Sequence, residues 1–124
     1  MNGKPHDAPR QVFGDGLNHR VTLYVPSTEN VKIKLSEVAS RQFVERTLRF
    51  LSELFGGATA VQASGSWLAG NGGLVIESVT LVYSFTITLN VDSLQAIRQY
   101  AVQIRDELGQ EAVAVEIDGK LYFV

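Results

Sequence analysis

The chain has 124 residues, 45% of them hydrophobic and 19% charged, with a formal net charge of −2. That length fits one domain with its own core, and the composition is globular rather than disordered. There is no cysteine, which excludes disulfides, thiol catalysis and thiolate metal sites, and the balanced charge gives no pull toward nucleic acid or an anionic membrane.

Residues 1–18, MNGKPHDAPRQVFGDGLN, carry Pro, Gly, Asp and Asn throughout and no apolar run. They read as a flexible N-terminal tail without the apolar segment of about 7–15 residues that a secretory signal needs. No stretch approaches the ~20 apolar residues of a membrane span, so a cytoplasmic protein is expected. The single domain is expected over residues 19–124.

From His19, HRVTLYVPS alternates Val21, Leu23 and Val25 with Thr22 and Tyr24. That pattern marks a half-buried strand, which Pro26 ends. In the polar connection that follows, Val31, Ile33 and Leu35 suggest a short extra strand. SRQFVERTLRFLSELFGG then predicts a helix, with Phe43, Val44, Leu48, Leu51, Leu54 and Phe55 on one stripe. Ser40 is the expected N-cap, and Gly56–Gly57 supply the left-handed stop. Arg41, Arg46 and Arg49 read as a solvated face, with Glu45–Arg49 and Arg49–Glu53 spaced as i,i+4 pairs.

ATAVQASGSWLA predicts a second strand and GLVIESVTLVYSFTIT a long third one. By parity the third strand directs Val79, Leu81, Tyr83, Phe85 and Ile87 to the core and Ser78, Thr80, Ser84 and Thr86 away from it. A second helix is expected in DSLQAIRQYAVQIRDELG, capped by Asp92, striped by Leu94, Ile97, Ala101, Ile104 and Leu108, and stopped by Gly109. EAVAVEIDGKLYFV reads as a strand, an Asp118-Gly119 turn and a short returning strand. The order β-α-β-β-α-β points to an α+β, ferredoxin-like sandwich. Its antiparallel sheet would carry two helices on one face and an added C-terminal hairpin strand.

Within GSWLAGNGG, Gly65 and Gly70 stand at the spacing of a phosphate-binding loop. Asn71 and Gly72 occupy the places where that loop needs Lys and Ser or Thr. Gly70 and Gly72 also lack the third glycine of a dinucleotide fingerprint. Asn71-Gly72 between two strand patterns is a hairpin turn.

Glu77 shares the parity of Val75, Val79 and Leu81, so its carboxylate is directed to the apolar side. There it needs a partner, such as Arg20, or carries a perturbed pKa of the kind found at functional sites. Trp67 ends the second strand, and Gln110-Glu111 begin the last. Trp67, Glu77, Gln110 and Glu111 therefore form a candidate binding pocket, or else a hydrogen-bonded plug. His6 and His19 are too few for a zinc site, and no G-x-S-x-G elbow is present. No catalytic residue, metal or cofactor is assigned. The face of the sheet away from the helices is expected to show Thr22, Tyr24, Thr80, Val82, Ser84, Ala112 and Ala114, a lightly charged candidate interface.

The segments VTLYVPST, FGGATA followed by SGSW, GLVIESVTLV and GQEAVAVEIDGKLYFV carry a resemblance. Over about Arg20 to Val124 the chain resembles small uncharacterised bacterial proteins carried on plasmids, conjugative elements or phages. It is similar, more loosely, to a bacterial domain-of-unknown-function family with a Gly-x-Trp turn and a terminal QE-V strand. The matched positions are Gly56, Gly57, Gly65, Trp67, Gly73, Glu77, Gln110 and Glu111, and the resemblance implies a compact accessory protein of a mobile element. The expected function is a non-catalytic binding module, acting as a homodimer or within a complex. One alternative is a small enzyme or ligand sensor using Glu77 and Trp67, with Tyr24 or Arg20 nearby. The other is a weak RNA-binding sheet stacking bases on Tyr24, although VTLVYSFT lacks the Lys, Arg and Gly of the RNA-recognition signature.

Overall fold

The computed structural model describes residues 7–124. Strand β1 (His19–Pro26) lies at the centre of a five-stranded antiparallel sheet. On one side it pairs with β5 (Leu74–Thr86), which pairs in turn with β4 (Thr59–Leu68). On the other side follow β6 (Ala114–Ile117) and the edge strand β7 (Lys120–Phe123). Helix α2 (Glu37–Phe55) links the β1 side to β4, and α3 (Val91–Glu107) links β5 to β6. Between β1 and α2, β2 (Thr28–Glu29) and β3 (Ile33–Lys34) make a separate small ribbon. The class is thus α+β, as expected.

The first six residues of the expected tail lie outside the described residues. The rest of it is not wholly irregular: α1 (Ala8–Phe13) is a short helix with Pro9 in its first turn and no buried residue. Both longer helices start earlier than the apolar stripes indicate. Helix α2 is capped by Ser36, not Ser40, through Ser36 Oγ accepting from Ala39 N at 3.1 Å. Helix α3 is capped by Asn90, not Asp92, in a reciprocal capping box with Ser93. At the other end of α2, Gly56 takes the left-handed φ of 95°.

Sheet register decides which residues face the helices. Val21 stands opposite Ser84, Leu23 opposite Val82 and Val25 opposite Thr80, and directly opposed residues share a face. The buried cluster joins Val21, Leu23, Val25, Val82 and Val115 from this face to Leu51 of α2 and Ile97, Ala101 and Ile104 of α3. Thr80, Val82 and Ser84 therefore lie beneath the helices, not on the open face. The expected parity of the third strand is inverted, and Val79, Leu81, Tyr83 and Phe85 face away from the helices. The reason is close approach. Small side chains let α2 settle onto β5, where Ser84 Oγ donates to Gly57 O at 2.6 Å, and the bulky ones are displaced to the other side.

The two helices are tied by a polar and aromatic seam. Phe50 stacks on Tyr100 with centroids 4.2 Å apart, and Thr47 Oγ1 hydrogen-bonds the Tyr100 hydroxyl at 2.8 Å. Arg46 forks onto the Glu107 carboxylate and covers the Phe43 and Tyr100 rings. Arg46 is thus a helix-to-helix clamp, not part of a purely solvated face.

Candidate functional site

The open side of the sheet holds a cleft at the end where the β4–β5 hairpin projects. The hairpin turns as the sequence indicates: Gly72 has φ 86°, and Asn71 Oδ1 accepts from Gly73 N at 2.8 Å. This turn fixes a register in which Gly65 faces Glu77 and Trp67 faces Val75. Trp67 and Glu77 are thus diagonal neighbours on one face, and diagonal pairs lie within reach of an aromatic side chain. Between them Gly65 contributes no side chain, and a Cβ built there meets nothing within 4 Å. An open floor results beside the half-buried Glu77 carboxylate.

The opposite wall is the chain between α3 and β6. Gln110 Nε2 donates to Thr28 O at 2.8 Å, fastening this segment to β2. That bond places Glu111, Ala112 and Ala114 across from the hairpin. The open cleft has a volume of about 490 Å³, and its lining includes Tyr24, Gly65, Trp67, Glu77, Val79, Gln110, Glu111, Ala112, Ala114, Leu121 and Phe123. All four residues of the expected pocket meet here, joined by Tyr24, Ala112 and Ala114 from the expected interface. Gln110 spends its amide nitrogen on the scaffold, so of the four it is the positioning residue.

The charge of the cleft has one sign. Glu77 and Glu111 line it, and no Lys, Arg or His does. Among the described residues no cation or hydrogen-bond donor engages either carboxylate. Arg20, expected near Glu77, is instead bound elsewhere on the open face, donating Nε to Glu116 Oε1 at 3.0 Å. Glu116 also accepts from Thr22 Oγ1 at 2.7 Å and from the Gly119 N–H. Burial opposes ionisation of Glu116, but these donors outweigh it and hold the carboxyl below the usual carboxylate range. Next to it, His19 Nδ1 and the Arg20 N–H both contact Asp118 at 2.7 Å, which lowers the Asp118 pKa as well.

Sequence reasoning missed Glu116, although its alternation with Val115 and Ile117 already sets it on the face opposite to theirs. It also missed Gly65 as a floor residue, and Leu121 and Phe123, which follow from the pairing of Glu116 with Leu121 and Ala114 with Phe123. The open face is more apolar than expected, since Val61, Val79, Leu81, Tyr83 and Phe85 occupy it; Phe85 is 45% exposed. Tyr83 and Phe85 are aromatics that a stacking sheet uses, yet the charged groups in the neighbouring cleft are carboxylates, which repel phosphate. Among the described residues no group of three or more His, Asp or Glu side chains is arranged to hold a metal ion, and no helix is long and apolar enough to cross a membrane.

No protein-family model and no curated protein matches the chain. Two solved structures do. A phage SAM lyase in complex with S-methyl-5′-thioadenosine is 18% identical, with a TM-score of 0.62, covering 89% of this chain and 91% of that one. The phage SAM lyase in its apo state is 19% identical, with a TM-score of 0.61, covering 86% and 88%. The likeness at these identities is one of fold, spanning nearly the whole of both chains. It corrects the expectation of a non-catalytic interaction module, because the solved chains that share this fold are those of a lyase, one of them holding a small nucleoside thioether.

Proposed function

We propose that this chain is a small enzyme whose cleft takes a sulfonium substrate of the S-adenosylmethionine class and releases a neutral thioether. The observation that carries the reading is the sign of the cleft: two unengaged carboxylates, Glu77 and Glu111, aromatic walls, and no basic side chain. A site of that composition favours a cation with a flat apolar body. Carboxylates attract the positive sulfur, and an aromatic face adds about 0.5–2 kcal/mol for a cation placed over it. The likeness in fold to a SAM lyase supports the same substrate class.

In C–S cleavage the bonding electron pair goes to sulfur, which leaves uncharged. The carbon it leaves forms a C=C bond with its neighbour in the same step, and the proton lost from that neighbour passes to a carboxylate as base, so the sulfonium and carboxylate charges are discharged together. Glu77, half-buried beside the Gly65 floor, is the carboxylate placed to take the proton, and Glu111 holds the sulfonium at the cleft. Trp67 and Tyr24 would flank the ligand's ring system. General-base catalysis of this kind is worth about 10²–10⁴ in rate.

The same reading takes the domain, with its split β-α-β connectivity, as a ferredoxin-like sandwich. It places the protein in the cytoplasm of a phage or mobile-element host, an origin supported by the phage source of the two similar structures.

Trp67 is the sole tryptophan of the chain, so its fluorescence reports on the cleft alone. Titration with S-methyl-5′-thioadenosine is expected to change the emission saturably. An emission unaffected by the thioether up to millimolar concentration would remove the cleft from the account.

A further inference from the structure

On the opposite side of the sheet from the cleft lies a second cavity. Strand β7 extends the sheet past the cover of the two helices, so all four of its residues are exposed. A groove is left between β7 and the flank of α3, with a volume of about 410 Å³, within the size range of small-molecule sites. Leu94 and Ile97 from α3, with Val115 and Ile117 from the sheet, give it an apolar floor, and Tyr122 forms the outer wall.

Its side-chain charge is the reverse of the cleft's. Arg98 stands on the same helical face as Leu94 at i+4 and lines the groove, whereas no Asp or Glu side chain does. Among the described residues Arg98 enters no ion pair or hydrogen bond. A second cation is close by, since Lys120 Nζ lies 5.7 Å from the Tyr122 ring centroid. An apolar slot with one free guanidinium in its wall matches a ligand with an apolar body and one negative end.

We propose that the α3–β7 groove binds a small amphipathic carboxylate, its aliphatic chain against Leu94, Ile97 and Ile117 and its carboxylate against Arg98. The site lies on the other face of the sheet from the cleft, with Phe123 of the edge strand bordering both, and is independent of the sulfonium reading.

The test is an NMR titration of the full chain with octanoate, following backbone amides. Shifts are expected at residues 94–98 and at Val115, Ile117 and Tyr122, with a saturable dissociation constant. Arg98→Ala should weaken that constant about tenfold, and Arg98→Glu should abolish octanoate binding while admitting octylammonium. Leu94→Trp, at a position already 37% exposed, should fill the slot and block both ligands with the fold intact. The proposal is overturned if no shifts appear at the groove, if they concentrate at Tyr24 and Trp67, or if Arg98→Ala leaves the constant unchanged. A cleft variant, Glu77→Gln, should bind octanoate as the wild type does.

Discussion

Three donors converge on the Glu116 carboxylate, from Arg20, Thr22 and Gly119, whereas Glu77 receives none among the described residues. The contrast separates a structural acid from an available one. Glu116 locks β6 and the Asp118-Gly119 turn onto β1, so Glu116→Ala leaves the Thr22 hydroxyl and the Gly119 N–H without their acceptor. The expected loss of stability is about 1–3 kcal/mol, measured as a lower urea midpoint. Acid should act through the same group. The pKa values of Glu116 and Asp118 are depressed in the folded chain. Their contribution is therefore present above the unfolded carboxylate range, about pH 4, and is lost as pH falls through the lower folded values. Thermal melts of Glu116→Gln should accordingly fall less steeply below about pH 4 than those of the wild type. Parallel curves would show that the Glu116 bonds contribute nothing.

The β4–β5 hairpin is the element that makes the cleft, and much of it was legible. Asn71-Gly72 fixes the turn, the turn fixes the register, and the register brings Gly65, Trp67 and Glu77 together. Gly65→Val is expected to leave the melting temperature nearly unchanged, because a Cβ there meets open space and β-branched residues suit strands. The same change should project methyl groups onto the floor beside Glu77 and weaken thioether binding, read by Trp67 fluorescence, at least tenfold. Unaltered binding would move the ligand elsewhere. The helix starts were less legible. The first turn of α2 carries Glu37, Val38 and Ala39, and Val38 is 61% exposed, so the apolar stripe begins one turn after the helix does. At α3, Asn90 and Asp92 are both good caps, and the reciprocal bond from Ser93 selects the first.

At the scale of the molecule, the strand and helix order and the α+β class followed from periodicity and turn chemistry. Which side of β5 faces the helices did not. Both parities of that strand carry apolar residues, and the smaller set, Thr80, Val82 and Ser84, lies under α2 because close packing outweighs side-chain size. The consequence for function is direct: the apolar residues assigned to the core lie instead on the open face, expected to be bland and partner-bound, where Val79 lines the cleft. The charge logic of the cleft depends on Arg20 being held by Glu116, a pairing that joins residues 96 positions apart and is invisible to local pattern. With the arginine withdrawn, Glu77 and Glu111 define an acidic cleft on one side of the sheet, while Arg98 lines the groove on the other.

Glu77 acting in a cation-accepting cleft is the central step of the proposed reaction. The measurement that tests it most directly is incubation of the purified chain with S-adenosylmethionine, with chromatographic detection of S-methyl-5′-thioadenosine, for the wild type and Glu77→Gln. The expected result is enzyme-dependent thioether release that falls about 100-fold or more in the variant while the melting temperature is kept. Absence of release by the folded wild type, or equal rates for the two proteins, would contradict it.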